Sequence, residues 1–282
     1  MKKIINMLLA AQLFLCACWN VSAQDFKEHI SKQFNVGTKD PVLAIYNVFG
    51  NIKVEGYEGD KVLLEIDKTI SSRYAEEVEN GKKEFKLEME QVGDSIVVYI
   101  AAPYDSRPNT WQNDRRNIRY KYQLDFTVKV PRSMKLRVST VNNGEIDVKH
   151  VLGDLVVHNV NGGITIDKAK GVTRAVTVNG PIRINYLSNP TAASEYKTIN
   201  GDIEVYYKGD LSADLYFKSM NGKYYTDFEN AENLSNTISR NTETKNNATI
   251  YKINKDAGVR IGNGGRKFNF ETLNGNIYIK KS

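Results

Sequence analysis

One short phrase recurs along this chain at a nearly fixed spacing, and no other feature limits its possible folds as strongly. The phrase is an apolar residue, Asn, Gly, any residue, then Ile. It reads Val160-Asn161-Gly162-Gly163-Ile164, Val178-Asn179-Gly180-Pro181-Ile182, Ile199-Asn200-Gly201-Asp202-Ile203, Met220-Asn221-Gly222-Lys223-Tyr224 and Leu273-Asn274-Gly275-Asn276-Ile277. The first four copies lie 18, 21 and 21 residues apart, and looser forms begin at Asn47 (NVFGNIKV) and Ser139 (STVNNGEIDV). A lone Asn-Gly before alternating apolar residues predicts a β-hairpin. A fixed period near twenty, made of short alternating strands and turn residues, predicts stacked coils instead.

The columns support stacking. One position reads Ile146, Ile164, Ile182, Ile203, Tyr224, Ile277, and the position two later reads Val148, Ile166, Ile184, Val205, Thr226, Ile279. Period-two alternation sends both columns to one face, the predicted core. The residue between them, Asp147, Thr165, Arg183, Glu204, Tyr225 or Tyr278, faces solvent. Asn161, Asn179, Asn200, Asn221 and Asn274 are placed to hydrogen-bond from coil to coil as a ladder. The glycines after them, Gly162, Gly180, Gly201, Gly222 and Gly275, are expected to supply the positive φ of a tight corner. A weaker phrase, such as VLGDLVV from Val151 or YKGDLSADLYF from Tyr207, sits between copies, so each repeat carries at least two strands. The expected fold is all-β: a single-domain parallel β-solenoid over residues 41–282 with short helical elements near its N-terminus. The alternative is a β-sandwich or meander in which every Asn-Gly turns a hairpin.

Upstream of the repeats, DFKEHISKQF within a 24–40 lead-in suits either a short amphipathic helix or an extended segment. Strands are predicted around Leu43–Tyr46, Ile52–Glu55, Val62–Lys68, Lys86–Glu90, Ser95–Ala101 and Tyr120–Val130. Between them SSRYAEEVENGKKEF predicts a helix capped by Ser71 or Ser72 and stopped by Gly81. The polar stretch Asn230–Asn247 reads as a long loop that interrupts the repeat before its final copy.

Residues 1–23 read as a secretory signal peptide: Lys2 and Lys3, an apolar run from Ile4 to Cys16, and Val21-Ser22-Ala23 before Gln24. Both cysteines, Cys16 and Cys18, fall in this segment, so a chain cut after Ala23 carries no thiol. Leu15-Cys16-Ala17-Cys18 also resembles a degenerate lipobox, which makes Cys18 a candidate for lipidation. Removing Lys2 and Lys3 leaves 37 basic against 33 acidic side chains, a net charge of +4. That balance is too mild and scattered for a nucleic-acid partner.

From VKVPRSMKLRVSTVNNGEIDV, Val128 to Val148, through the Asn-Gly series, the chain resembles a bacterial family of extracytoplasmic domains of unknown function known as candidate adhesins. It is also similar to head GIN domain proteins. The resemblance spans about residues 40–282. It implies a β-solenoid and an envelope location, and it brings no active-site residues with it.

Few residues in the sequence point to chemistry. Three histidines, His29, His150 and His158, have no Cys and no further His near them to complete a metal site. Asp147, Asp154, Asp167, Asp202 and Glu204 sit at turns or on outward columns, where a carbohydrate-active β-helix would carry a catalytic pair. Arg183 and Glu204 fall on adjacent rungs as a surface ion pair. No nucleophile elbow, phosphate loop or dinucleotide fingerprint is present, and no cofactor is implied. The outlier is Tyr104–Gln123, where Trp111 lies among Arg107, Arg115, Arg116 and Arg119. Aromatic and guanidinium groups together suit an anionic glycan or lipid headgroup. The expected function is a non-enzymatic exported scaffold or adhesin-like binding protein. Its partners would be envelope proteins, glycans or anionic lipid headgroups, with membrane attachment only if Cys18 is lipidated. A carbohydrate-active β-helix enzyme and a ligand-binding envelope sensor are the alternatives.

Overall fold

The computed structural model describes residues 24–37, 40–108, 117–234, 238–245, 248–255 and 257–282. Two large, mostly parallel sheets enclose the apolar columns, and the chain alternates between them without closing a barrel. The repeat unit is a strand in a back sheet, an Asn-Gly corner and a strand in a front sheet, here termed a coil.

The N-terminal half supplies β1 (Gln24–Asn35), β2 (Val42–Tyr46), β3 (Ile52–Tyr57) and β4 (Lys61–Ser72), then α1 (Ala75–Glu84). It continues with β5 (Lys86–Val92), β6 (Ser95–Ala102) and β7 (Lys121–Pro131). The repeats proper begin with β8 (Lys135–Ser139) and β9 (Ile146–Lys149), then β10 (Leu155–His158) and β11 (Ile164–Ala169). Next come β12 (Thr173–Val176) with β13 (Ile182–Tyr186), and β14 (Ser194–Lys197) with β15 (Ile203–Tyr207). These four coils stack in chain order. Ile146 pairs with Ile164, Ile164 with Ile182 and Ile182 with Ile203, all in parallel register. Each is at most 1% exposed, which makes this column the spine of the core. Parallel pairing rules out the hairpin reading of these Asn-Gly corners.

Chain order then breaks. The next coil, β16 (Ala213–Ser219) with β17 (Tyr224–Thr226), does not stack on β14 and β15. After it the chain runs through β18 (Ala231–Leu234), β19 (Ile238–Lys245), β20 (Ala248–Lys255) and β21 (Ala257–Ile261). The last coil, β22 (Arg266–Thr272) with β23 (Ile277–Lys281), then inserts into the gap. Ile203 pairs with Ile277, and Ile277 with Tyr224, so the final repeat is the penultimate rung. The opposite end mirrors this. The coil of β2 and β3 lies between β8–β9 and the later coil of β6 and β7. A terminal rung has core on one side only, and the residues match: Ile277 is fully buried, whereas Tyr224 is 40% exposed.

Antiparallel strands close both ends. In the front sheet β4 pairs with β7 and β1 with β4; in the back sheet β5 covers β6 at one end, and β21 and β18 follow β16 at the other. Several expectations are corrected here. The lead-in, open between helix and extended segment, is the extended strand β1, because Phe26, Ile30 and Phe34 sit opposite Ile70, Ile66 and Val62 and pack on the core. Ser71 and Ser72 belong to β4; the residue before the helix is Tyr74, with no side-chain cap. Gly81 does not stop α1 but lies buried inside it, where a Cβ would come within 2.8 Å of Ile70 and Tyr120. The polar stretch from Asn230 contains β18 and β19 rather than a loop, β18 joining the back sheet and β19 pairing with β20 as a hairpin.

Candidate functional site

The Asn-Gly corners form a continuous seam. Asn161 Nδ2 donates to Asn142 Oδ1 (2.7 Å), Asn179 to Asn161 (2.8 Å) and Asn200 to Asn179 (2.7 Å). The ladder follows space rather than sequence: Asn274 donates to Asn200 (2.7 Å), and Asn221 to Asn274 (2.8 Å). The role expected of the glycines is different. Gly162, Gly180, Gly201, Gly222 and Gly275 do not adopt positive φ. They are glycine because the carbonyl of the neighbouring rung passes too close for a side chain: a Cβ would lie 1.8 to 2.3 Å from the facing glycine oxygen.

Two residues before each Asn runs a polar column, buried except at half-buried Ser219, that the sequence reading missed. Thr140, Thr177, Thr198, Thr272 and Ser219 donate through their hydroxyls to Gly50, Gly162, Gly180, Gly201 and Gly275 oxygens (2.9 to 3.3 Å). Asn159 donates to Gly144 O at 3.0 Å. These bonds satisfy corner carbonyls that face the core. The signal was present as Thr-x-Asn, Asn-x-Asn and Ser-x-Asn ahead of the Asn-Gly corners.

The outer face of the front sheet carries the densest chemistry. Rung by rung, one outward column runs Asp147, Thr165, Arg183, Glu204, Tyr278, Tyr225, and beside it runs Lys149, Asp167, Asn185, Tyr206, Lys280. Glu204 is the hub. Its carboxylate accepts from Arg183 Nε (2.8 Å), Tyr206 OH (2.7 Å) and Lys280 Nζ. Burial tends to raise its pKa, but the bonds from Lys280, Tyr206 and Arg183 outweigh burial and hold it below the ordinary glutamate value. Tyr278 and Tyr225 stack at 5.1 Å, and Lys280 lies 5.2 Å from the Tyr206 ring centre. Two grooves of about 340 and 410 Å³ meet at Thr165 and Arg183.

The other candidate carboxylates hold the structure together. Asp154 accepts from the Val172 amide (3.0 Å), Asp167 from Asn185 (2.9 Å) and Asp202 from the Asn276 amide (2.7 Å); Asp147 pairs with Lys149 (3.2 Å). His29 bridges Glu65 and Asp67, and His150 occupies a left-handed turn at φ 57°. His158 lies 3.3 Å from Arg174; burial first, then Arg174 and Arg137, lowers its pKa. Among the described residues no three His, Cys, Asp or Glu side chains converge on a metal position.

The arginine-rich segment does not come together as one described patch. Trp111, Arg115 and Arg116 lie outside the described residues, as does Cys18. Arg107 pairs with Asp105 (2.6 Å) and lies 4.0 Å from the centre of the Tyr99 ring, against β6. Arg119 belongs to a different neighbourhood. Its carbonyl accepts from Ser72 at the end of β4, its side chain is 77% exposed, and Glu77 of α1 is 3.9 Å away.

No family model and no curated protein matches the chain. Solved structures do. A candidate cell adhesion protein from Clostridium sporogenes aligns over 90% of this chain and all of its own, with 12% identity and a TM-score of 0.43. A candidate adhesin from Bacteroides fragilis aligns over 90% of this chain and 97% of its own (14% identity, TM-score 0.28). A candidate lipid binding protein from Parabacteroides distasonis aligns over 90% and 96% (10% identity, TM-score 0.26). Among the described residues no helix is long and apolar enough to cross a membrane.

Proposed function

We propose that this chain is an exported, non-catalytic scaffold of the bacterial cell envelope or surface, adhesin-like in its action, which recognises a glycan or envelope protein through the outward columns of its front sheet. The observation that carries this reading is the state of Glu204. Its side chain is only 13% exposed, and two cations and a phenol hold it ionised. Hydrolysis of a glycoside needs a carboxylic acid with a raised pKa opposite a second carboxylate. A carboxylate locked among cations instead fixes the geometry of its neighbours. Arg183, Tyr206, Tyr278 and Lys280 thereby form a rigid surface whose ordering cost is met before any partner arrives. The leader-like segment 1–23 supports export.

The test is retention on intact bacterial cells or isolated envelopes, using the chain from Gln24 onward. The wild-type chain is expected to be retained, and combining Arg183→Ala, Tyr206→Ala and Tyr278→Ala to weaken retention on the order of tenfold with the fold intact. Unchanged retention in that variant, or depolymerisation of an acidic polysaccharide by the wild type, contradicts the proposal.

A further inference from the structure

Many cations of this molecule are neutralised within the stack, as in Arg174 with Glu195, Lys197 and Lys218 with Glu271, Arg260 with Asp214 and Arg132 with Glu58. One groove at the N-terminal end differs. It encloses about 570 Å³ and, among the described residues, is lined by Arg73, Arg119 and Lys121 with one acid, Asp25. Glu77 touches Arg119 only at 3.9 Å. Tyr74, at the same groove, is 69% exposed. A second groove of about 420 Å³ shares Ser71 and Lys121 with the first and is lined by Phe49, Ile118 and Tyr122. Cations, an outstanding tyrosine and an apolar recess thus share one end of the molecule.

That end is also where the chain enters the fold. Asp25, the second residue of β1, lines the cationic groove. The seven residue-to-residue steps from Cys18 to Asp25 span at most ~25 Å when fully extended. A lipid on Cys18 would therefore keep this end within ~25 Å of a bilayer.

We infer that the groove of Arg73, Arg119 and Lys121, with Tyr74 at its rim, is a docking surface for an anionic lipid bilayer. Cations near such a surface are attracted to its headgroups, and tyrosine favours the depth at which headgroups meet acyl chains. The inference rests on the reading of the chain as exported, but it concerns a different face from the proposed recognition columns.

The test is co-sedimentation with vesicles of phosphatidylcholine mixed with phosphatidylglycerol, against phosphatidylcholine alone. The chain from Gln24 onward is used; it contains every core residue, from Leu43 to Ile279, and no anchor. Binding is expected to the mixed vesicles only and to fall as salt rises. Each of Arg73→Ala, Arg119→Ala and Lys121→Ala should weaken it about fivefold. Reversing all three to Glu should abolish it. An equal reversal at the far end, Lys223→Glu with Arg266→Glu and Lys267→Glu, should leave binding in place, which separates the groove from net charge. Equal loss in both triple variants overturns the inference, as does equal sedimentation with both vesicle types. Binding of monomeric short-chain phosphatidylglycerol without binding to vesicles overturns it too, because the site would then hold a single amphiphile. Failure of the cell-retention test with these results intact would remove the recognition face and leave the docking surface.

Discussion

At the scale of single residues, the corner glycines set how closely the coils approach. A Cβ on Gly162 would lie 2.0 Å from the Gly144 carbonyl oxygen, and backbone cannot yield as a flexible side chain can. At the adjacent Gly163 the nearest atom is 3.4 Å away, an ordinary contact. Gly162→Ala should therefore destabilise the protein by about 2 kcal/mol or more, the cost of forcing an extra carbon into a packed interior. Gly163→Ala should change stability by less than ~1 kcal/mol. Urea denaturation of the two variants reads the difference. If the glycines served corner dihedrals rather than approach, the contrast between these neighbours would have no reason to appear. The buried threonines add a second constraint, since Thr177→Val leaves the Gly162 oxygen without its hydroxyl donor at a cost of about 1 kcal/mol.

Among the elements, β1 carries its own pH dependence. His29 directs Nε2 to Glu65 and Nδ1 to Asp67, each at 2.8 Å, an arrangement that both nitrogens satisfy as donors only when the ring is protonated. The hydrogen bonds with Asp67 and then Glu65 raise its pKa above 6.5. A raised value means that this contribution to holding β1 on β4 is complete below pH 6.5 and is lost as pH climbs through the elevated value. Amide exchange in β1 should thus quicken, relative to the core strands, between mildly acidic and mildly alkaline solution, and His29→Gln should remove that pH response. An identical response in the variant would assign it elsewhere. Much at this scale was legible beforehand. The strands of the repeat could be placed because branched aliphatics alternate with polar residues, as in Ile182-Arg183-Ile184. The lead-in was ambiguous because Phe26, Ile30 and Phe34, four apart, share a face in a helix and in a strand; only the facing strand β4 decides. The outward column of Arg183, Glu204 and Tyr278 could be read, but the hub at Glu204 could not, because Lys280 reaches it only through the insertion of the last coil.

For the whole molecule, the central feature is that coil order in space departs from coil order in sequence at both ends. Aligned columns establish register within a rung but say nothing of which rungs are neighbours, since Ile277 would fit against any other isoleucine of its column. One hint was available: the degenerate copy with Met220, Tyr224 and Thr226 suits a terminal rung, and repeat arrays end in atypical copies. The insertion has an energetic consequence. Deleting residues 266–282 removes an interior layer containing Phe268, Phe270, Ile277 and Ile279, all at most 1% exposed, so the truncated chain should lose its cooperative thermal transition rather than merely shorten. The most direct test uses the absence of thiols from Gln24 onward. Asn200 and Asn274 face each other on adjacent rungs, about 4.8 Å apart in the stacking direction, whereas Asn221 lies beyond Asn274. A chain carrying Asn200→Cys and Asn274→Cys should form an intramolecular disulfide on mild oxidation, and one carrying Asn200→Cys and Asn221→Cys should not, because two rungs exceed the reach of the bond. Ready oxidation of the second pair and not the first would show that the coils stack in chain order, contradicting this architecture.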